Sequence, residues 1–178
     1  MSSAVRTKAE AKAAPKAPPP LLSARVAPAG PADMETARAL FREYEKAVAA
    51  GAGQCFAGFE QELASLPGDC APPHGGILLA RDQTGAALGV VAFHAIGPGI
   101  AEIKRLYLRP DRRCRGLGRQ LMNAALRACA ASGASTVRLS TVPSVMRAAD
   151  AMYRGMGFQP IPAYPGAACA SVCYETAL

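Results

Sequence analysis

The chain has 178 residues, of which 51% are hydrophobic and 19% are charged, and this combination predicts one globular domain with a core of ordinary size. No window approaches the roughly 18 consecutive apolar residues of a membrane-spanning helix. Lys8, Lys12 and Lys16 interrupt every candidate for a secretory signal. We therefore expect a soluble, cytoplasmic protein.

The net charge of +7 is concentrated in two short segments. Residues 1–20 contain four basic residues and one acidic residue, and residues 104–119 contain seven basic residues and one acidic residue. A charge focused on so short a segment suits a compact polyanion such as a pyrophosphate better than a long duplex. Nucleic-acid binding is disfavoured because aromatic residues make up only 6% of the chain and none interleaves the basic residues of residues 1–20.

The first half of the chain predicts a tail, a strand and two helices. Ala, Pro and Lys dominate residues 1–22 without any apolar period, so we expect a disordered tail there and a single domain over residues 23–178. A short strand is predicted over residues 24–26. Apolar residues three and four apart after Pro31 predict a helix that Gly51 and Gly53 end. A second helix is predicted over residues 56–66.

The second half alternates strands with helices. Residues 77–80 and 88–96 read as a hairpin, and residues 100–108 as the next strand. A helix over residues 117–132, a strand over 137–141 and a helix from Pro143 to Gly157 follow. Residues 158–161 and 169–176 would be the final strands. This order predicts a mixed sheet with helices on its faces.

The segment from Leu106 to Arg119 carries the strongest functional signal, because a strand runs through a Gly-rich turn directly into a helix. Free backbone N–H groups and the helix dipole make such a turn an anion site. A Walker-type loop does not fit, since Gly118 is followed by Arg119-Gln120. A dinucleotide-binding fingerprint does not fit either, since its third glycine would stand at position 121, which is Leu.

Two motifs together resemble the GCN5-related N-acetyltransferase (GNAT) superfamily. Arg113, Gly116 and Gly118 match its pattern Gln/Arg-x-x-Gly-x-Gly/Ala, and the segment from Met152 to Phe158 is similar to its Leu-Tyr-x-x-x-Gly-Phe signature. The resemblance covers residues 24–177. It implies an α/β (α+β) fold with a mixed, mostly antiparallel central sheet of about six or seven strands, flanked by about four helices.

The resemblance also implies a function. Acetyl-coenzyme A would be the co-substrate, and an acetyl group would pass to a primary amine of a small molecule or peptide by direct attack in a ternary complex. A catalytically silent sensor of acyl-coenzyme A is the alternative. The family implies no metal, and a homodimer is consistent with it. The implied coenzyme-binding residues are Leu106, Tyr107, Leu108, Arg113, Cys114, Arg115, Gly116, Leu117, Gly118 and Arg119.

Glu102 is the candidate general base. An amine with a pKa of about 10.4 is almost entirely protonated at pH 7, so a proton must be removed before attack. Glu102 lies eleven residues before Arg113, the offset of the catalytic glutamate in the histone-acetyltransferase branch of the superfamily. A water chain, as in many relatives, is one alternative. An ordinary strand carboxylate paired with Lys104 is another.

Tyr153 is the candidate general acid, because the matching family tyrosine donates a proton to the departing thiolate or hydrogen-bonds its sulfur. A buried core tyrosine is the alternative. The family implies no covalent enzyme intermediate, so Cys114 is expected to be passive. The six cysteines are expected to be idle thiols, with a disulfide or metal site as the alternative.

The pantetheine contacts and the acceptor pocket are less defined. Met146 stands where many members carry an Asn that bonds the pantetheine, and Ser140, Thr141 or Ser144 are candidates to replace it. The loop containing His74, Gly75 and Gly76 is a candidate part of the acceptor pocket, although an incidental His74 is the alternative. Four acidic residues either line that pocket or form a solvated helix face: Glu43, Glu45, Glu60 and Glu62.

Overall fold

The computed structural model describes residues 24–52, 58–167 and 171–178. The predicted tail over residues 1–22 lies outside these residues. So do the first residues of the predicted second helix, at Phe56, and of the last predicted strand, at Cys169.

Seven strands form one sheet in the order β1-β2-β3-β4-β5-β7-β6. Every neighbouring pair is antiparallel except β4 and β5, which are parallel. The predicted mixed, mostly antiparallel sheet is therefore confirmed. The strands are β1 (Arg25–Pro28), β2 (Gly75–Arg81), β3 (Ala87–Gly97), β4 (Ile100–Leu108), β5 (Thr136–Thr141), β6 (Gln159–Ile161) and β7 (Val172–Ala177).

Four α-helices flank the sheet, as predicted: α1 (Met34–Ala52), α2 (Phe59–Ser65), α3 (Leu117–Ala131) and α4 (Arg147–Arg154). Two predicted helix boundaries are wrong. Gly51 lies inside the last turn of α1 rather than ending it. The last helix begins at Arg147 and not at Pro143, because the N–H groups of Val145 and Met146 both donate to the carbonyl of Val142 in a turn.

The helices cover opposite faces of the sheet. On one face, Leu40 and Phe41 of α1 and Leu63 of α2 pack against strand residues that include Val90 and Tyr107. On the other face, α3 and α4 pack against alternate residues of the same strands, such as Val91, Ile103 and Leu139. This alternation is the period of two that a strand with both faces buried requires. The central strands are consequently fixed from both sides.

Within the described residues, no helix is both long enough and apolar enough to cross a membrane. The four cysteines in this part of the chain, Cys70, Cys114, Cys129 and Cys173, are free thiols. Burial raises the pKa of Cys70 to about 11 and that of Cys129 to about 12, which makes both thiols poor nucleophiles at neutral pH. No group of three metal-binding side chains occurs among the residues that the structure describes.

Candidate active site

The central feature of the site is a split in the sheet between β4 and β5. The two strands pair only from Ile100 to Glu102 on β4 and from Thr136 to Arg138 on β5. Beyond that point β4 continues to Leu108 alone on this side. The split therefore runs along the second half of β4, with its closed end at Glu102 and its open end at the Gly-rich turn.

The turn at the open end leads into α3 through residues with left-handed backbone. Cys114 and Gly116 both have left-handed backbone, with φ values of 60° and 75°. Gly116 is the N-cap of α3, and no side chain caps the N–H groups of the first helical turn. Two left-handed residues next to an uncapped helix form a concave array of donors that suits an anion.

The basic residues of residues 104–119 are not all available to an anion, contrary to the charge argument from the sequence. Lys104 and Arg105 both contact Glu62, and Arg109 contacts Glu43. Arg112 is paired with the neighbouring Asp111. Among the described residues, no acidic side chain forms an ion pair with the remaining three basic residues, Arg113, Arg115 and Arg119.

Arg113 is held at the mouth of the split. Its Nε donates to the carbonyl of Leu108 at 3.0 Å, and its guanidinium lies 5.7 Å from the centre of the Tyr107 ring. Arg119 approaches α4, where its Nη2 would lie 3.6 Å from a β-carbon at Gly155. Both arginines thus stand beside the uncapped turn.

Two of the predicted coenzyme-binding residues can act only through their backbones. The side chain of Leu117 is 1% exposed and belongs to the core beneath α3. The side chain of Tyr107 is 6% exposed and packs edge-on against Tyr44 of α1, with ring centres 6.4 Å apart. Leu106 and Leu108 are partly buried on the α3 side of the sheet. Residues 106–108 therefore offer an extended ligand their backbone groups and apolar surface, and not polar side chains.

A β-bulge at Arg105 marks the middle of the split. Val90 pairs with Tyr107 and Ala92 pairs with Lys104, so Val91 faces two residues of β4. Arg105 takes the left-handed conformation, with φ 57°, which is uncommon for a residue with a side chain. Its guanidinium bonds Glu62 with Nη2 at 2.5 Å and Nε at 3.3 Å, and lies 5.0 Å from the centre of the Phe59 ring. These contacts hold the strained residue in place.

Glu102 lies at the closed end of the split and is 8% exposed. Its Oε2 lies 2.9 Å from Nε2 of His94 on β3, and its Oε1 accepts a hydrogen bond of 2.7 Å from the hydroxyl of Tyr164. The alternative prediction of an ordinary pair with Lys104 is wrong, because Lys104 contacts Glu62 at 3.3 Å instead. The β3–β4 register places His94 directly opposite Glu102 and so supplies the nearer partner.

The partners of Glu102 decide its charge. Burial acts to raise the pKa of Glu102, but hydrogen bonds from His94 and Tyr164, helped by the charges of Lys104 and His94, outweigh burial and hold the pKa below its ordinary value. Glu102 is therefore ionised at neutral pH. Since an ionised carboxylate only accepts hydrogen bonds, Nε2 of His94 carries the hydrogen that lies between them.

Tyr153 of α4 is 4% exposed, and its ring packs 6.0 Å from Phe158 and 6.5 Å from Tyr174. Burial first, and then the nearby Tyr44, raise the pKa of Tyr153 well above its ordinary value. Tyr153 keeps its proton at neutral pH.

Met146 occupies the wall of the same region. Its sulfur accepts from the hydroxyl of Tyr44 at 4.0 Å and from that of Thr141 at 3.7 Å. The hydroxyl of Thr141, one of the candidates to replace the missing Asn, is therefore directed at Met146.

Only part of the acidic group forms the solvated helix face that the sequence favours: the Glu60 side chain is 67% exposed, whereas that of Glu62 is 21% exposed. Glu43 and Glu60 are bonded to Arg109 and Arg42, and Glu62 is partly buried against Arg105. Burial acts to raise the pKa of Glu62, but Arg105 and Lys104 outweigh it and lower the pKa. His74 lies exposed in the turn before β2, distant in the chain from this group.

Sequence reasoning missed four side chains that shape the site: Tyr44, His94, Arg105 and Tyr164. The pairing of His94 with Glu102 could have been predicted from the sequence, because the tight connection between β3 and β4 places the two residues opposite each other. No pattern in the chain marks Tyr164, which lies between β6 and β7 and reaches Glu102 across 62 positions.

Comparison with known proteins agrees with this architecture. An N-acetyltransferase of Schizosaccharomyces pombe, itself uncharacterized, is 36% identical over 130 residues, which cover 72% of this chain and 78% of that protein. The PaiA N-acetyltransferase of Thermoplasma acidophilum, solved with coenzyme A, superimposes with a TM-score of 0.70 at 19% identity, covering 88% of this chain and all of that one (100%). A phosphinothricin acetyltransferase of Sinorhizobium meliloti, solved with acetyl-coenzyme A, gives 0.66 at 18% identity, covering 88% and 89%.

The fold, the motifs and the relatives define an acyltransferase enzyme. The model of the GNAT acetyltransferase family matches residues 36–158, which is more than half of the chain. The chain therefore belongs to the GNAT family of acetyltransferases.

Proposed function

We propose that this enzyme moves an acetyl group from acetyl-coenzyme A to a primary amine of a small molecule or peptide, by direct attack in a ternary complex. The observation that carries the proposal is the split between β4 and β5, which has an anion turn at one end and an ionised carboxylate at the other. Leu108 and Glu102 are six residues apart on β4, which corresponds to roughly 20 Å along the strand. That length accommodates an extended arm between a pyrophosphate and a thioester.

The binding half of the proposal rests on the turn. The uncapped N–H groups of α3 and the left-handed residues Cys114 and Gly116 would bond the pyrophosphate, with Arg113, Arg115 and Arg119 supplying charge. The backbone along Leu106–Leu108 would pair with the pantetheine amides. Cys114 has no part in the chemistry.

The chemical half rests on Glu102 and Tyr153. The acceptor attacks the thioester carbonyl as the neutral amine. Glu102 accepts a proton from the nitrogen as the C–N bond forms, because the nitrogen becomes more acidic as it bonds to the carbonyl carbon. Because an ammonium has no lone pair, its first proton must be lost before attack, and an amine with a pKa of about 10.4 is neutral in roughly one molecule in a few thousand at pH 7. The C–S bond then breaks. Tyr153, whose raised pKa favours keeping its proton, stabilises the leaving thiolate by a hydrogen bond.

The test of this function is release of coenzyme A thiol by the purified protein with acetyl-coenzyme A and a panel of primary amines. The Glu102→Gln variant should lose about 10²- to 10⁴-fold in kcat, the usual contribution of a general base. Glu60→Gln, which breaks an exposed carboxylate–arginine pair between α1 and α2, is the matched control and should retain kcat. Unchanged turnover of Glu102→Gln between about pH 6 and 9 would show that another group or a water chain is the base.

A further inference from the structure

Both oxygens of Glu102 are held by separate donors from different parts of the fold. His94 approaches Oε2 from β3, and Tyr164 approaches Oε1 from the β6–β7 connection. A carboxylate bonded through one oxygen can rotate about its terminal torsion, whereas a donor at each oxygen fixes the plane of the group. The direction of the remaining lone pairs is then fixed as well.

Both donors are mostly buried, with Tyr164 8% exposed, yet they stand apart from the two main packed clusters. Neither His94 nor Tyr164 belongs to either of the hydrophobic clusters that fill the two faces of the sheet. The His94 side chain is 16% exposed, and Tyr164 lies outside any strand or helix. Their shared feature is the bond to Glu102.

The charged surroundings of this group come from every adjacent element. Lys104 on β4 bonds Glu62 of α2. Arg138 on β5 bonds Glu175 of β7 at 2.7 Å, and its guanidinium lies 5.7 Å from the centre of the Tyr164 ring. Lys104 and Arg138 are each paired with another carboxylate, and the side chains that bond Glu102 directly are His94 and Tyr164.

We propose that His94 and Tyr164 are positioning residues that clamp Glu102 toward the acceptor amine. The clamp rests on the proposed role of Glu102. The clamp keeps the buried carboxylate ionised and aims a lone pair at the substrate, so that the amine and the thioester meet in one geometry. Neither residue touches the reacting atoms.

The test substitutes each donor separately. Tyr164→Phe removes only the hydroxyl, His94→Leu removes the donor, and His94→Gln keeps a side-chain N–H that can reach the carboxylate. We expect kcat to fall about tenfold in Tyr164→Phe and in His94→Leu, the cost of one hydrogen bond to a charged group. We expect His94→Gln to restore most of the loss and the KM for acetyl-coenzyme A to stay unchanged.

Tyr174→Phe is the matched control, because the Tyr174 hydroxyl bonds the carboxylate of Asp150 at 2.6 Å, a similar bond at another place. It should retain kcat. The second readout is the ionisation of Glu102 followed by carbon-13 NMR, with Glu102→Gln used to assign the signal. Loss of either donor should raise the carboxyl pKa, whether or not the enzyme turns over.

A double-mutant cycle separates the clamp from the base assignment. In a Glu102→Gln background, the clamp substitutions should cause little further loss of kcat. Equal losses in both backgrounds, or full kcat in Tyr164→Phe and His94→Leu despite a raised carboxyl pKa, would overturn the clamp. Full activity of Glu102→Gln alone would instead overturn the proposed base.

Discussion

Tyr153 is a residue whose ring and hydroxyl have separable roles. The ring is packed against Phe158 and Tyr174, so Tyr153→Phe keeps the core contacts and removes only the hydroxyl. Loss of one hydrogen bond to a developing thiolate should reduce kcat about ten- to a hundredfold. The KM for acetyl-coenzyme A should change little. Tyr174→Phe serves as the control, and wild-type turnover of Tyr153→Phe would assign this tyrosine to the core alone.

Substitutions of Gly118 test the role of the Gly-rich turn in binding acetyl-coenzyme A. A β-carbon there would lie 3.5 Å from the sulfur of Met152 and 3.6 Å from Leu108, which are ordinary contact distances. Gly118→Ala should therefore fold normally and gain up to about 1 kcal/mol of stability from helix propensity. Acetyl-coenzyme A binding should stay unchanged in Gly118→Ala, because the family pattern accepts Ala here. Gly118→Asp should weaken binding about tenfold or more, because its carboxylate would repel the pyrophosphate of the proposed site.

The control for Gly118→Asp is Asn123→Asp, which adds the same charge at an exposed place on the same helix. It should leave the affinity unchanged. Titration calorimetry with acetyl-coenzyme A measures both variants. Equal affinity of Gly118→Asp and the wild type would show that the phosphates do not approach the first turn of α3.

At the scale of elements, the bulge of β4 depends on a contact from α2. Arg105 and Glu62 have side chains only 16% and 21% exposed, so Glu62→Gln would leave a mostly buried guanidinium without its counter-charge. We expect a loss of about 1–3 kcal/mol in the free energy of unfolding. Because the bulge adjoins the split, kcat should fall as well.

Glu60→Gln is the matched control, since Glu60 also lies on α2 and also bonds an arginine, Arg42, but at an exposed place. Exposed pairs contribute about 0–1 kcal/mol, so this variant should be nearly as stable as the wild type. Urea unfolding of both variants measures the difference. Similar midpoints for the two would mean that Glu62 does not support the bulge.

The elements that the sequence predicts best are those with strong local patterns. The strand over residues 100–108 and the start of α3 at Leu117 agree with the structure at those boundaries, because a Gly-rich turn separates two clear periodicities. The start of the last helix was misplaced. Pro143 and Ser144 resemble a helix start, but the carbonyl of Val142 holds the next residues in a separate turn.

At the scale of the whole molecule, long-range pairing accounts for what sequence could not predict. The seven basic residues of residues 104–119 look equivalent in the chain, yet Glu43 and Glu62 neutralise three of them after α1 and α2 pack on the sheet. Likewise Glu102 was found by its distance from Arg113, whereas Tyr164 is brought to it only by the path of the β6–β7 connection. The sequence therefore singles out Glu102 as a candidate, but it does not predict the surroundings that determine the charge of Glu102.

The most direct test of the account is the melting temperature of the purified protein with and without acetyl-coenzyme A. Ligand at about a hundred times its Kd stabilises a fold by about 2.7 kcal/mol, which for a domain of this size is a rise of roughly 5–10 °C. We predict that rise for the wild type and its loss in the double variant Arg113→Glu/Arg115→Glu. No rise at millimolar acetyl-coenzyme A, or an equal rise in the double variant, would contradict the assignment of the turn.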